Sequence, residues 1–164
     1  MVDYMAPRTT APQTPPTLPR PLADRVGYLV ARSHHLVGDL AEQALEPVGL
    51  LDADCTPKHV GCLTMIAEES PLSQHELGEL MAVDRTTIVA IVDRLEDAGY
   101  VERRRNPDDR RAYALEITPA GRKWLEQARR AVFEAEQKFL EPLSRAERRQ
   151  LTGMLQRLLV GRLG

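Results

Sequence analysis

The chain has 164 residues, 43% of them apolar, with a formal net charge of −2. That length and apolar content suit one ordinary domain with a real core and exclude a wholly disordered chain. No apolar run approaches the roughly 18 residues of a membrane span, no charged-then-apolar leader opens the sequence, and the two cysteines, Cys55 and Cys62, are too few for a disulfide scaffold; the expectation is a cytoplasmic protein with no membrane partner.

Residues 1–20 hold Pro7, Pro12, Pro15, Pro16 and Pro19 among Ala, Thr and Gln. Such a segment reads as a disordered arm. Its Arg8 and Arg20 could brush DNA or a partner subunit, though a solvated tail is the simpler reading. Leu22 to about Leu45 reads as the first long helix, with Leu22, Val26, Leu29, Leu36 and Leu40 on one face and Pro47 and Gly49 ending it. Thr56-Pro57 starts a second helix that runs to about Glu69 with Val60, Leu63, Met65 and Ile66, and Pro71 closes it off.

Ser73 with Glu76 is a capping box opening a short helix with Leu77, Leu80 and Met81. Val83 breaks that pattern, and Asp84 caps the next helix, whose stripe is Ile88, Ile91, Val92 and Leu95. Gly99 follows as the residue that takes a positive φ at the helix end. Two alternating segments then flank the turn Asn106-Pro107-Asp108-Asp109. Val101, Tyr113, Leu115 and Ile117 are predicted to face the body. Arg103 and Arg105 share the parity of Val101, pointing inward at the base of the hairpin and splaying toward its tip.

Thr118-Pro119 starts a long helix to about Leu140, with Trp124 or Leu125, Ala128, Val132, Ala135 and Phe139 on its stripe. Pro142 ends it, and the capping box Ser144–Glu147 opens a last helix with Leu151, Met154, Leu155, Leu158 and Leu159. The fold class is mainly α with a small β-wing: a winged helix-turn-helix over 51–118, flanked by helical dimerisation segments at 21–50 and 119–164.

Charge is distributed unevenly. Residues 21–84 hold 3 basic and 11 acidic side chains, net −8, whereas 85–130 hold 11 basic and 8 acidic, net +3. Local charge governs docking, because screening acts over about 8 Å at physiological salt. Five arginines, Arg103, Arg104, Arg105, Arg110 and Arg111, flank the hairpin turn, which suits phosphates and a narrow minor groove. Arg85, Thr86, Thr87 and Arg94 lie on the polar side of the second helix of the pair, where a recognition helix meets DNA. Ser73 and Gln74, at the start of the preceding helix, join the expected contacts.

Leu72 to Gly121 resembles the MarR family of bacterial transcription regulators. The resemblance rests on Asp84-Arg-Thr-Thr87, Asp93-Arg-Leu-Glu96, Gly99-Tyr-Val101, Asn106-Pro-Asp-Asp-Arg-Arg111 and Leu115-Glu-Ile-Thr-Pro-Ala-Gly121. It implies a homodimeric, sequence-specific duplex-DNA-binding regulator, most often a repressor, that acts on a pseudo-palindromic operator. By the same resemblance Arg111 is the wing-tip arginine entering the minor groove, and Asp109 orients it. The chain departs from the family at Val89 and Ala90, where relatives often carry polar residues. These two cannot hydrogen-bond a base, though they can touch a thymine methyl, so direct readout is expected to lean on Arg85, Thr86 and Thr87.

The resemblance also implies a small effector, phenolic or carboxylated, held between the dimer helices and the winged helix. Arg32, His34 and His35 on the first helix are the anchors expected for it, against the simpler reading that all three are solvated. Cys55, just before a helix start and near Lys58, is the redox candidate, opposed by Asp52 and Asp54; a structural thiol is the plainer account of each cysteine. His34, His35, His59 and His75 show no ligand spacing, so no metal is expected, nor any other cofactor. No phosphate-cradling, nucleophile-elbow or dinucleotide motif points to an enzyme. The alternatives that remain are a cysteine-based oxidant sensor and a winged helix that binds protein and has no operator.

Overall fold

The computed structural model describes residues 18–48, 56–105 and 113–161. Most of the Pro-rich arm, Cys55 and the turn with Asp109, Arg110 and Arg111 lie outside the described residues. The elements in chain order are α1 (Val26–Leu45), α2 (Pro57–Glu69), β1 (Leu72–Ser73), α3 (Gln74–Leu80), α4 (Arg85–Asp97), β2 (Val101–Arg105), β3 (Tyr113–Ile117), α5 (Pro119–Phe139) and α6 (Arg145–Val160), with short 3-10 turns at Arg20–Leu22 and Glu46–Val48. The chain divides into two compact units between His34 and His35, inside α1.

In the N-terminal unit Leu22 does not begin the helix. Arg20 starts a 3-10 turn, with Pro21 as its second residue, in which the Leu22 amide donates to the Pro19 carbonyl at 2.9 Å, and α1 opens at Val26. The turn uses up Leu22 because proline fixes φ and has no amide for a regular helical ladder.

The C-terminal unit is a winged helix-turn-helix. Its sheet has the order β1-β3-β2, all antiparallel. β1, not expected from the sequence, pairs Leu72 with Leu115 and Ser73 with Ala114. The core gathers Leu63 and Ile66 of α2, Leu77 of α3, Ile88, Val92 and Leu95 of α4, Val101 and Leu115 of the sheet, and Trp124, Leu125 and Ala128 of α5. Every expected apolar position of α4 is buried, as helical spacing requires. Tyr113 departs from expectation. It is 55% exposed, because it pairs with Arg105 one step past the point where the hairpin leaves the body, and Ala114 is buried instead.

The sheet is tied to α5 by one close approach. Thr118 donates its hydroxyl to the Gly99 carbonyl (2.7 Å) and accepts from the Gly121 amide (3.0 Å), while its own amide donates to the Tyr100 carbonyl at 2.9 Å. Tyr100 and Trp124 stack beside this junction with ring centroids 5.3 Å apart. α6 buries no residue: Leu155, Leu158, Leu159 and Val160 are exposed along it.

Candidate nucleic-acid interface

The two short helices are set by local hydrogen bonds. At α3 the Glu76 amide donates to the Ser73 hydroxyl (3.2 Å) and the Ser73 amide to the Glu76 carboxylate (2.8 Å). The Ser73 side chain first, and its amide second, hold the Glu76 carboxyl below the usual carboxylate range. The turn to α4 is closed by the Val83 amide on the Gly78 carbonyl at 3.0 Å, and Ala82 takes φ +50° there. Asp84 then accepts from the Thr87 hydroxyl (2.6 Å) and the Thr87 amide (3.0 Å), and both bonds lower its pKa.

Because α4 buries Ile88, Ile91, Val92 and Leu95, the opposite face carries Arg85, Thr86, Val89, Ala90 and Asp93 into the open. Thr87 and Arg94 are half-buried. A groove of about 1050 Å³ runs between the start of α3, the start of α4 and the wing, lined by Ser73, Gln74, His75, Arg85, Val89, Arg103 and Tyr113 among others. Five of the expected contacts, Ser73, Gln74, Arg85, Val89 and Arg103, therefore line one concave face, while Thr86, Thr87 and Ala90 lie on α4 outside its lining.

They are not equally available. Arg103, facing inward with Val101 and Leu115, is ion-paired with Asp93 and Glu96 of α4, and its guanidinium is 3.5 Å from Gln74 Oε1. Gln74 turns into this seam, its amide nitrogen buried without a hydrogen-bond partner among the described residues. On the outer face of the hairpin Arg104 pairs with Glu102 and Glu116, and Glu102 in particular raises its pKa. Arg105 is exposed at the end of β2. The carboxylate partners of Arg103 were missed in the sequence; the signal was Asp93 and Glu96, one helical turn apart on the side of α4 that meets the inward parity of the strand.

The remaining candidates lie elsewhere. Arg32, His34 and His35 are exposed on α1. A crevice of about 450 Å³ opens between α2 and α5, walled by Val60, Gly61, Met65, Met81, Val132 and Phe133, with Arg129 and Glu136 also in its lining. Arg129 donates to Thr64 (3.2 Å) and Glu68 (2.8 Å). Cys62 is fully buried, and burial pushes its thiol up to about 11 against a small opposing pull from Lys58. Among the described residues no three His, Cys, Asp or Glu side chains gather as a metal site would require, and no helix is long and apolar enough to cross a membrane.

A helix pair with an exposed second-helix face, flanked by a three-stranded sheet whose hairpin carries arginines, defines a winged-helix DNA-binding protein. The MarR family profile matches residues 55–113. A putative transcriptional regulatory protein for the hcr operon of Thauera aromatica is 44% identical over 103 residues, 63% of this chain; the match spans 62% of that relative's own length. A probable transcriptional regulator from Pseudomonas aeruginosa superposes with a TM-score of 0.73 at 32% identity, covering 84% of this chain and 98% of that one. The transcriptional repressor CouR, bound to a 23-mer DNA duplex, superposes with a TM-score of 0.75 at 29% identity over 84% of this chain and 94% of its own. The chain belongs to the MarR family, whose members are transcriptional regulators and not enzymes.

Proposed function

We propose that this chain represses transcription as a homodimer on a pseudo-palindromic operator, and that a small effector releases it. The observation that carries the reading is the exposed N-terminal face of α4, with Arg85 and Thr86 open beside a hairpin whose Arg105 is also exposed. Helix and hairpin together match a major groove and the minor groove next to it. Arg94, Asp109, Arg110 and Arg111 complete the proposed contact set. CouR, similar in fold over most of this chain, holds a DNA duplex in its structure.

The dimer is supported by apolar surface that one copy leaves open: Leu158, Leu159 and Val160 of α6 are 62%, 66% and 71% exposed, and Leu36 of α1 is 49% exposed. Large apolar side chains left open on a helix mark an association site, and a two-fold pair of recognition helices would read half-sites about 34–36 Å apart. The α2–α5 crevice is the proposed effector site, with an apolar wall and Arg129, which would exchange Glu68 for the carboxylate or phenolate of an effector. Arg32, His34 and His35 on α1 stand as a separate proposed set of effector anchors, apart from that crevice.

The test is binding to duplex DNA from upstream of the chain's own coding sequence, titrated with salt and footprinted. Two protected half-sites and a steep fall of log K with log salt are expected, the slope being about −0.9 for each phosphate neutralised. Weak binding, equal on any duplex, would overturn the operator and favour a winged helix that docks on protein. Release of the complex by aromatic carboxylates, lost in Arg129→Ala, tests the effector site.

A further inference from the structure

We propose that Val89 and Ala90 read the 5-methyl groups of two neighbouring thymines in each half-site, so that the operator is selected by methyl contact as much as by hydrogen bonds. This rests on the DNA-binding reading above. Arg85, Thr86, Val89 and Ala90 occupy positions i, i+1, i+4 and i+5 of α4, one continuous exposed strip. Val89 is 38% exposed although Ile88 and Ile91 on either side are 2% and 5% exposed, so the core does not account for its apolar side chain.

The polar groups around the strip are largely committed inside the protein. The Thr87 hydroxyl donates to Asp84 at 2.6 Å, Ser73 is held by Glu76, and Gln74 and Arg103 face each other across the seam to Asp93 and Glu96. What meets the bases is therefore Arg85 and Thr86 at the helix start, then an apolar pair. In the major groove only thymine offers an apolar group, its methyl, to such a pair. Cytosine there presents an amino donor, which would lose its water against a surface with no acceptor.

The experiment is selection of random duplexes by the full chain, followed by replacement of single selected thymines with deoxyuridine, which removes the methyl and keeps every hydrogen-bonding group. Two adjacent thymines should recur in each half-site, and uracil at either should weaken binding roughly fourfold, as expected for one buried methyl-sized group. The salt slope should not change. In Val89→Ala, a change on the exposed face, the uracil penalty should vanish at one of the two positions and stay at the other. Selected half-sites whose thymines all tolerate uracil would overturn the methyl contact and leave the DNA-binding reading intact. Failure to select any sequence would overturn both.

Discussion

Arg103 of β2 reaches across to Glu96 and Asp93 of α4, so one guanidinium joins the wing to the recognition helix. Its side chain is 26% exposed and faces the body with Val101 and Leu115, so it acts mainly within the protein. Arg103→Met keeps the apolar stem and removes the charge. It should cost ~1–2 kcal/mol of stability, discounted because both carboxylates are more than a third exposed. Operator binding should weaken because the wing and helix lose their fixed angle, but the salt slope should hold. Arg105→Ala, at the exposed end of the same strand, should lower the slope by about 1. A slope change in Arg103→Met as large as that of Arg105→Ala would make Arg103 a phosphate contact instead.

The turn between α3 and α4 stores a small strain at Ala82, whose φ of +50° suits glycine better than any residue with a Cβ. The side chain is exposed, so little packing offsets the strain. Ala82→Gly should stabilise the fold by about 0.5–1 kcal/mol, after the extra freedom glycine has in the unfolded chain is counted. Urea unfolding would show this as a higher midpoint with an unchanged slope. A lower midpoint would mean that the Ala82 methyl carries packing the turn depends on.

What the sequence made legible follows the range of the interactions. Ser73 with Glu76, Ser144 with Glu147, the Asp84 cap and the positive φ of Gly99 (+72°) all join residues within three positions or depend on one residue's own backbone. They are written where they act. The α4 stripe is equally local, since spacing alone decides which face is buried. β1 was not legible, because Leu72 and Ser73 become a strand only by pairing with Leu115 and Ala114 far along the chain. Sequence alone points Arg103 and Gln74 at DNA, since arginine suits phosphates and Gln74 stands at the start of the first helix of the pair. Only the packed hairpin brings Asp93 and Glu96 to the arginine first. Tyr113 alternates correctly with Leu115 and Ile117, but alternation gives the face and not where the body beneath it ends.

Gly121 is required by space. A Cβ there would lie 2.2 Å from the Tyr100 carbonyl oxygen and 3.0 Å from Ile117 Cγ1, and the carbonyl belongs to the backbone that receives the Thr118 amide. Neither neighbour is the free end of a flexible side chain. Gly121→Ala should therefore push α5 off the sheet and destabilise the chain by about 2–3 kcal/mol. A fall in Tm of about 5–10 °C is the matching calorimetric result for a protein of this size. An unchanged Tm would mean that α5 can shift outward at no cost, which the buried Trp124 and Leu125 beside it oppose.

Cys62 should be chemically silent in the folded chain. Burial raises its pKa from 9.0 to about 11, so at neutral pH the thiolate fraction is roughly a hundredfold smaller than in the unfolded chain. In a Cys55→Ser background, where Cys62 is the remaining thiol, a disulfide reagent at pH 7.5 should label the native protein far more slowly than the protein in denaturant. Stability has a matching pH dependence. The fold favours the neutral thiol, so its contribution is complete below about pH 9 and falls away as pH rises toward 11, by on the order of 2–3 kcal/mol. Cys62→Ala should flatten that alkaline loss. Fast labelling of the native Cys55→Ser chain at pH 7.5 would show that α2 opens readily around Cys62 and would return this cysteine to consideration as an oxidant sensor.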